Sequence, residues 1–89
     1  MLTRTVTIIN KLGLHARAAA KFVAAANRHT SSVRVGKGQQ WVDGKSIMAV
    51  MMLAASKGTM LELCIDGEDE TEAMAEIVAL IEDYFGEGE

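Results

Sequence analysis

Gly13-Leu14-His15-Ala16-Arg17 sets a histidine where a turn gives way to a helix, with an arginine two positions on. The first backbone N–H groups of a helix have no carbonyl partner within it, so such a junction binds anions. The helix dipole adds partial positive charge, and the Arg17 guanidinium can contribute charge-assisted hydrogen bonds from the next turn. The backbone of Ala16 and Arg17 is thus suited to hold a phosphate. The same positive field disfavours an imidazolium, which leaves a ring nitrogen of His15 free to attack phosphorus. Nucleophile and anion site would then coincide. Spacing alone leaves a second reading open, in which His15 merely starts a helix and Arg17 is an exposed charge.

The elements that must position this segment follow from periodicity. Thr3 to Ile9 is rich in β-branched residues and is interrupted by Asn10, Lys11 and Gly13, which predicts a strand and a turn. His15 to Arg28 is alanine-rich, with Ala18, Ala19, Phe22, Val23 and Ala26 at helical spacing, a stripe that should face the core. Arg17, Lys21 and Arg28 share another side of the same helix. Ser32 to Val35 and Gln39 to Val42 flank Gly36-Lys37-Gly38 and read as a hairpin, and Ser46 to Ala55 reads as a short helix ended by Gly58. Met60 to Ile65 alternates so that Leu61, Leu63 and Ile65 lie on one side of a fourth strand. Glu70 to Phe85 repeats apolar residues at Met74, Ile77, Val78, Ile81 and Phe85, with Asp69 and Glu72 suited to its first turn and Gly86 to its end. The Gly-Glu-Gly-Glu tail is expected to fray. The order β-α-β-β-α-β-α predicts an α+β fold, with helices on one face of a largely antiparallel sheet.

Eighty-nine residues allow one small core, so a single domain over residues 1–89 is expected. An apolar fraction of 49% argues against disorder. No apolar run approaches the roughly 20 residues that span a bilayer, and the start lacks the apolar stretch of a secretory signal, so a cytoplasmic protein without membrane insertion is expected. Cys64 is the only cysteine, which excludes an internal disulfide and a paired-thiol metal site. Residues 1–45 carry eight basic side chains against Asp43 alone, a net +7, whereas residues 46–89 carry Lys57 against eleven acids, a net −10. The basic half lacks Lys/Arg runs, and four aromatic residues in the whole chain are few for stacking bases, so nucleic acid is not expected as a partner.

GLHARAAAKFV, followed about thirty residues later by GKSIMAVMMLAASKG, resembles the HPr phosphocarrier family of the bacterial phosphotransferase system, and the likeness covers nearly the whole chain. The resemblance implies an open-faced β-sandwich, with a four-stranded antiparallel sheet and three helices on one face. It implies that His15 is phosphorylated through Nδ1, that Arg17 assists transfer, and that the protein is a carrier rather than an enzyme. The donor would be Enzyme I, itself charged from phosphoenolpyruvate, and the acceptor a histidine on a IIA-type protein. No cofactor or metal is needed on the carrier, which is expected to be a monomer. Two different partners must reach the phosphohistidine, so the site should be a shallow surface feature rather than a pocket. One departure stands out: the family usually has proline after the arginine, and here Ala18 takes its place. Alanine is an excellent helix former, so the helix start is expected to survive, with its rigidity and the presentation of Arg17 as the features that the exchange would alter.

Further sites follow from the second helix. Ser46 can cap it through its hydroxyl, and in some HPr proteins the serine at this position is phosphorylated by HPr kinase/phosphorylase. Ile47, Met48, Met51 and Met52 make the helix apolar on nearly every side, so part of it should be exposed. A Met48/Met52 patch beside Arg17 and Lys21 would suit docking onto acidic-rimmed partners, whereas Val50 and Met51 could equally fill the core. His29, near the end of the first helix, is expected to meet its terminal carbonyls, and Cys64 has no neighbour that would activate it. Two alternatives remain at this point. One is a mainly regulatory carrier of the nitrogen-related branch of the same system, suggested by Asn10-Lys11-Leu12-Gly13. The other is a small ligand-binding regulatory module, against which the His-x-Arg helix start argues.

Overall fold

The computed structural model describes residues 1–89. Strand β1 spans Leu2–Thr7, α1 Ala16–Asn27, β2 Ser32–Lys37, β3 Gln40–Asp43, α2 Ile47–Met52, β4 Met60–Asp66 and α3 Glu70–Glu82, followed by a 3-10 turn at Tyr84–Gly86. The four strands form one antiparallel sheet in the order β1-β4-β2-β3, so β4, late in the sequence, pairs centrally between β1 and β2. Its register sets Leu61 opposite Val6, Leu63 opposite Arg4 and Val35, and Ile65 opposite Leu2 and Val33. The two-residue alternation then puts Leu61, Leu63, Ile65, Val33 and Val35 on one buried face while Thr3, Thr5, Arg34 and Glu62 remain exposed on the other. This is the open-faced β-sandwich expected.

The helices cover the buried face, and a single cluster of 22 apolar residues fills the space between them and the sheet. Helix α1 contributes Ala18, Ala19, Phe22, Ala25 and Ala26, and α3 contributes Ala73, Met74, Ile77, Val78 and Ile81. The alanines let α1 approach closely, while Phe22 supplies bulk; truncating a buried side chain such as Leu63 to alanine should cost about 2–5 kcal/mol. Of the predicted α1 stripe, Val23 lies at the margin and Ala25 takes the buried place.

Several boundaries differ from the sequence expectation, each for a local reason. Helix α2 stops at Met52 rather than Ala55, because Leu53 and Ala54 donate to Val50 and Met51 in tighter turns and Ala54 then turns left-handed at φ +51°. Helix α3 ends at Glu82 rather than Phe85. Tyr84 and Phe85 adopt φ of +57° and +53°, which reverses the chain while keeping the Phe85 ring in the core. The reversal sends the tail back toward the start of α1, where it is tied rather than frayed: Lys11 N–H donates to the Glu89 carbonyl at 3.0 Å, and the Glu87 carboxylate is held by Asn10.

Candidate functional site

The turn before α1 is built to present His15. Gly13 N–H donates to the Asn10 carbonyl at 3.2 Å, and the Asn10 amide donates back to the Gly13 carbonyl at 2.8 Å. Gly13 sits at φ +69°, where a side chain is unfavourable. Leu14 is buried, and its N–H donates to the Ala55 carbonyl at 2.8 Å, which fastens the turn to the segment after α2. His15 is therefore delivered in extended conformation (φ −71°, ψ 177°) as the N-cap of α1. Its carbonyl accepts the first helical bond, from Ala19 N–H at 2.8 Å, and no side chain caps the helix. The N–H groups of Ala16, Arg17 and Ala18 precede that first bond and are the free donors an anion needs. Ala18 is fully buried inside a helix that begins as expected, so the absence of proline leaves the helix start intact.

The His15 ring, 29% exposed, lines an open groove with Lys11, Arg17, Lys21, Glu87 and Glu89. The expected shallow surface feature is present, but the ring is less open than the sequence suggested because Glu87 lies against it. The Glu87 carboxylate contacts His15 Nε2 and accepts from Asn10 Nδ2 at 2.9 Å. It is held below the usual carboxylate range by the Asn10 hydrogen bond first, then by His15 and the nearby Lys21 charge. Lys21 itself donates to the Phe85 carbonyl at 2.6 Å, which joins α1 to the reversed chain that carries Glu87.

Helix α2 presents the second group of predicted residues. Ser46 is its N-cap, with the hydroxyl accepting from Ala49 N–H at 3.4 Å. Met48 and Met52 are each 69% exposed, Ile47 and Met51 are partly exposed, and Val50 alone is buried in the core. The apolar face foreseen there thus exists, and α2 packs on α1. His29 differs from expectation. Its Nε2 meets the Glu76 carboxylate at 2.7 Å and its Nδ1 meets Asp69 at 3.2 Å, because the start of α3 brings two acids against the end of α1. Asp69 likewise turns away from its own helix, accepting from Thr30 and Ser31 N–H and the Ser31 hydroxyl. No group of three or more His, Cys, Asp or Glu side chains is placed to hold a metal ion, and no helix is long and apolar enough to cross a membrane.

Asn10 and Glu87 were not singled out as site residues by the sequence. Asn10 read only as a turn residue, and Glu87 lies 72 positions from His15 in a polar tail with no periodicity to place it.

Comparison with known proteins puts this chain among the phosphocarriers. Residues 2–83 match the family model described as the phosphotransferase-system HPr component phosphorylation site. The phosphocarrier protein HPr of Pseudomonas aeruginosa is 64% identical over 85 residues, 94% of either chain. Among solved structures, HPr-C-His from Thermoanaerobacter tengcongensis superposes with a TM-score of 0.95 at 46% identity, over 98% of both chains. An HPr dimer from the same organism, also 46% identical, gives a TM-score of 0.79 over 98% of this chain and 100% of that one. The chain belongs to the HPr family and is a phosphocarrier of the bacterial phosphotransferase system.

Proposed function

We propose that the chain accepts a phosphoryl group on His15 Nδ1 from phosphorylated Enzyme I and passes it to a histidine of a IIA-type protein. The observation that carries this reading is the placement of His15 as the N-cap of α1, a helix start that no side chain caps, with its Nε2 edge occupied by Glu87 so that Nδ1 is the ring nitrogen left for chemistry. In each transfer the Nδ1 lone pair forms the new N–P bond while the donor's N–P bond breaks and its electron pair returns to the donor nitrogen. Onward transfer to the acceptor histidine repeats the step in reverse. The Arg17 guanidinium and the helix start balance charge on the phosphoryl oxygens. The protein acts as a cytoplasmic, monomeric carrier that hands the group on, without a cofactor or metal of its own, rather than as a turnover enzyme.

Lys21 with Ile47, Met48, Met51 and Met52 forms the docking face: methionines adapt to partners of different shape, and the neighbouring cations of α1 favour acidic rims. Ser46 is a regulatory site, since a phosphoryl group on this hydroxyl would sit at a helix start and add negative charge beside the docking methionines. The deciding experiment is intact-mass and phosphorus NMR analysis after incubation with phosphoenolpyruvate, magnesium and Enzyme I. One acid-labile phosphoryl group, absent in His15→Ala, is the expected result; a folded protein that acquires none would sink the proposal. The same mass measurement with ATP and the HPr kinase/phosphorylase tests Ser46.

A further inference from the structure

The contact between Glu87 and His15 joins the two ends of the sequence at the one ring on which the proposed chemistry depends. It is not a casual surface pair. The Glu87 side chain is only 14% exposed, and its Oε1 is fixed by Asn10 Nδ2, which also donates to the Gly13 carbonyl at 2.8 Å. With both Nδ2 hydrogens committed to acceptors, Asn10 can present only a donor to Oε1, and Asn10 is itself fully buried. Oε2 is therefore the oxygen that faces His15 Nε2. The chain is brought there by the left-handed pair Tyr84-Phe85 and by the bond from Lys21 to the Phe85 carbonyl.

A carboxylate accepts hydrogen bonds and cannot donate them, so its partner nitrogen must carry the proton. We infer that Glu87 is a positioning residue for phosphoryl transfer: oriented by Asn10, it holds the proton of His15 on Nε2 and so leaves the Nδ1 lone pair free for the phosphoryl group. The kinetic half of this inference rests on Nδ1 of His15 being the phosphoryl acceptor; the tautomer half does not. During transfer the N–P bond forms at Nδ1, the donor's N–P bond breaks, and the Nε2 proton stays where it is. The ring gains positive character as its lone pair is used, and the Glu87 charge on the other nitrogen compensates it.

The amide variant makes this testable, because the same Asn10 that orients the carboxylate would orient its replacement. In Glu87→Gln, Asn10 Nδ2 would still bind the oxygen, which turns the new NH2 group toward His15 Nε2. That group donates, so Nε2 must become the bare nitrogen and the proton must move to Nδ1. Glu87→Ala removes the preference without reversing it. The experiment is the two-bond proton–nitrogen correlation spectrum of His15 at a pH where its ring is neutral, recorded for the full-length protein and both variants, alongside the rate of phosphorylation by Enzyme I.

The expected spectra show Nε2–H in the parent, a mixture in Glu87→Ala and Nδ1–H in Glu87→Gln. The expected rates fall by roughly tenfold for alanine, as for loss of one part-exposed charge-assisted hydrogen bond, and by roughly a hundredfold for glutamine, where a bond must also break to free Nδ1. An unchanged Nε2–H signature in Glu87→Gln would overturn the inference, as would faster phosphorylation in both variants, which would make Glu87 an obstacle to the incoming phosphoryl group. If the parent accepted no phosphoryl group at all, the proposed function would fail while the three spectra still decided the role of Glu87.

Discussion

Replacing Gly13 by alanine tests how the turn before α1 presents His15. Gly13 lies at φ +69°, and a Cβ built there meets the Ala55 carbonyl oxygen at 2.5 Å and Ser56 Cα at 2.8 Å. Left-handed backbone costs an L-residue roughly 1–2 kcal/mol. Both clashing atoms are backbone, so no side chain can swing away. The oxygen also accepts from Leu14 N–H at 2.8 Å, so separating the segments would weaken a bond with a net contribution of about 1 kcal/mol. The sum is about 2–3 kcal/mol, a large share of the roughly 4–13 kcal/mol expected for a domain of this size. Gly38→Ala is the matched control: φ is +62° but nothing lies within 4 Å of the new Cβ, so only the same conformational cost of about 1–2 kcal/mol applies. Urea unfolding followed by far-ultraviolet circular dichroism should move the midpoint by about 2 M for Gly13→Ala and by about 1 M for Gly38→Ala, given a slope near 1–1.5 kcal/mol per M. Equal shifts in the two variants would refute the claim that contact with the Ala55–Ser56 backbone, rather than backbone conformation alone, demands glycine in this motif.

The His29 cluster should shape stability against pH. Hydrogen bonding to Glu76, then to Asp69, raises the His29 pKa above its usual 6.5, so its contribution is complete below about 6.5 and is lost as pH rises through the folded value. Asp69 is held well below its usual 3.8, first by the Ser31 hydroxyl and then by the N–H groups of Thr30 and Ser31, so its contribution is present above about 3.8 and is lost as pH falls. Stability should be greatest between those limits, and His29→Gln should flatten the alkaline limb while leaving the acid limb; denaturation series across pH would show a retained alkaline slope if the assignment is wrong. For docking, combining Met48→Asp with Met52→Asp should reduce transfer from Enzyme I by more than tenfold while leaving the fold unchanged by circular dichroism, since it places two charges on an exposed apolar face. Normal transfer by the double variant would remove α2 from the interface.

What the sequence made legible was whatever repeats or sits next to its consequence. Leu61, Leu63 and Ile65 declare a strand face by alternation, and Met74, Ile77, Val78 and Ile81 declare a helix face by spacing, because each pattern is written within one element. The placement of His15 and Arg17 at the start of α1 was legible for the same reason: a helix start is a local feature and its free N–H groups follow from backbone geometry. The misreadings share the opposite property. His29 was assigned to the carbonyls of its own helix, whereas its partners are Asp69 and Glu76, some forty positions away. The tail was expected to fray because composition is all that Gly-Glu-Gly-Glu displays, yet two consecutive left-handed residues, neither of them glycine, turn it onto Asn10 and His15. Tolerating φ above +50° at Tyr84 and Phe85 costs strain that local propensity argues against, and burial of the Phe85 ring is what offsets it. The placement of Glu87 is therefore a product of the core rather than of the tail. That is why the residue set against His15 could not be read from the motif that contains His15.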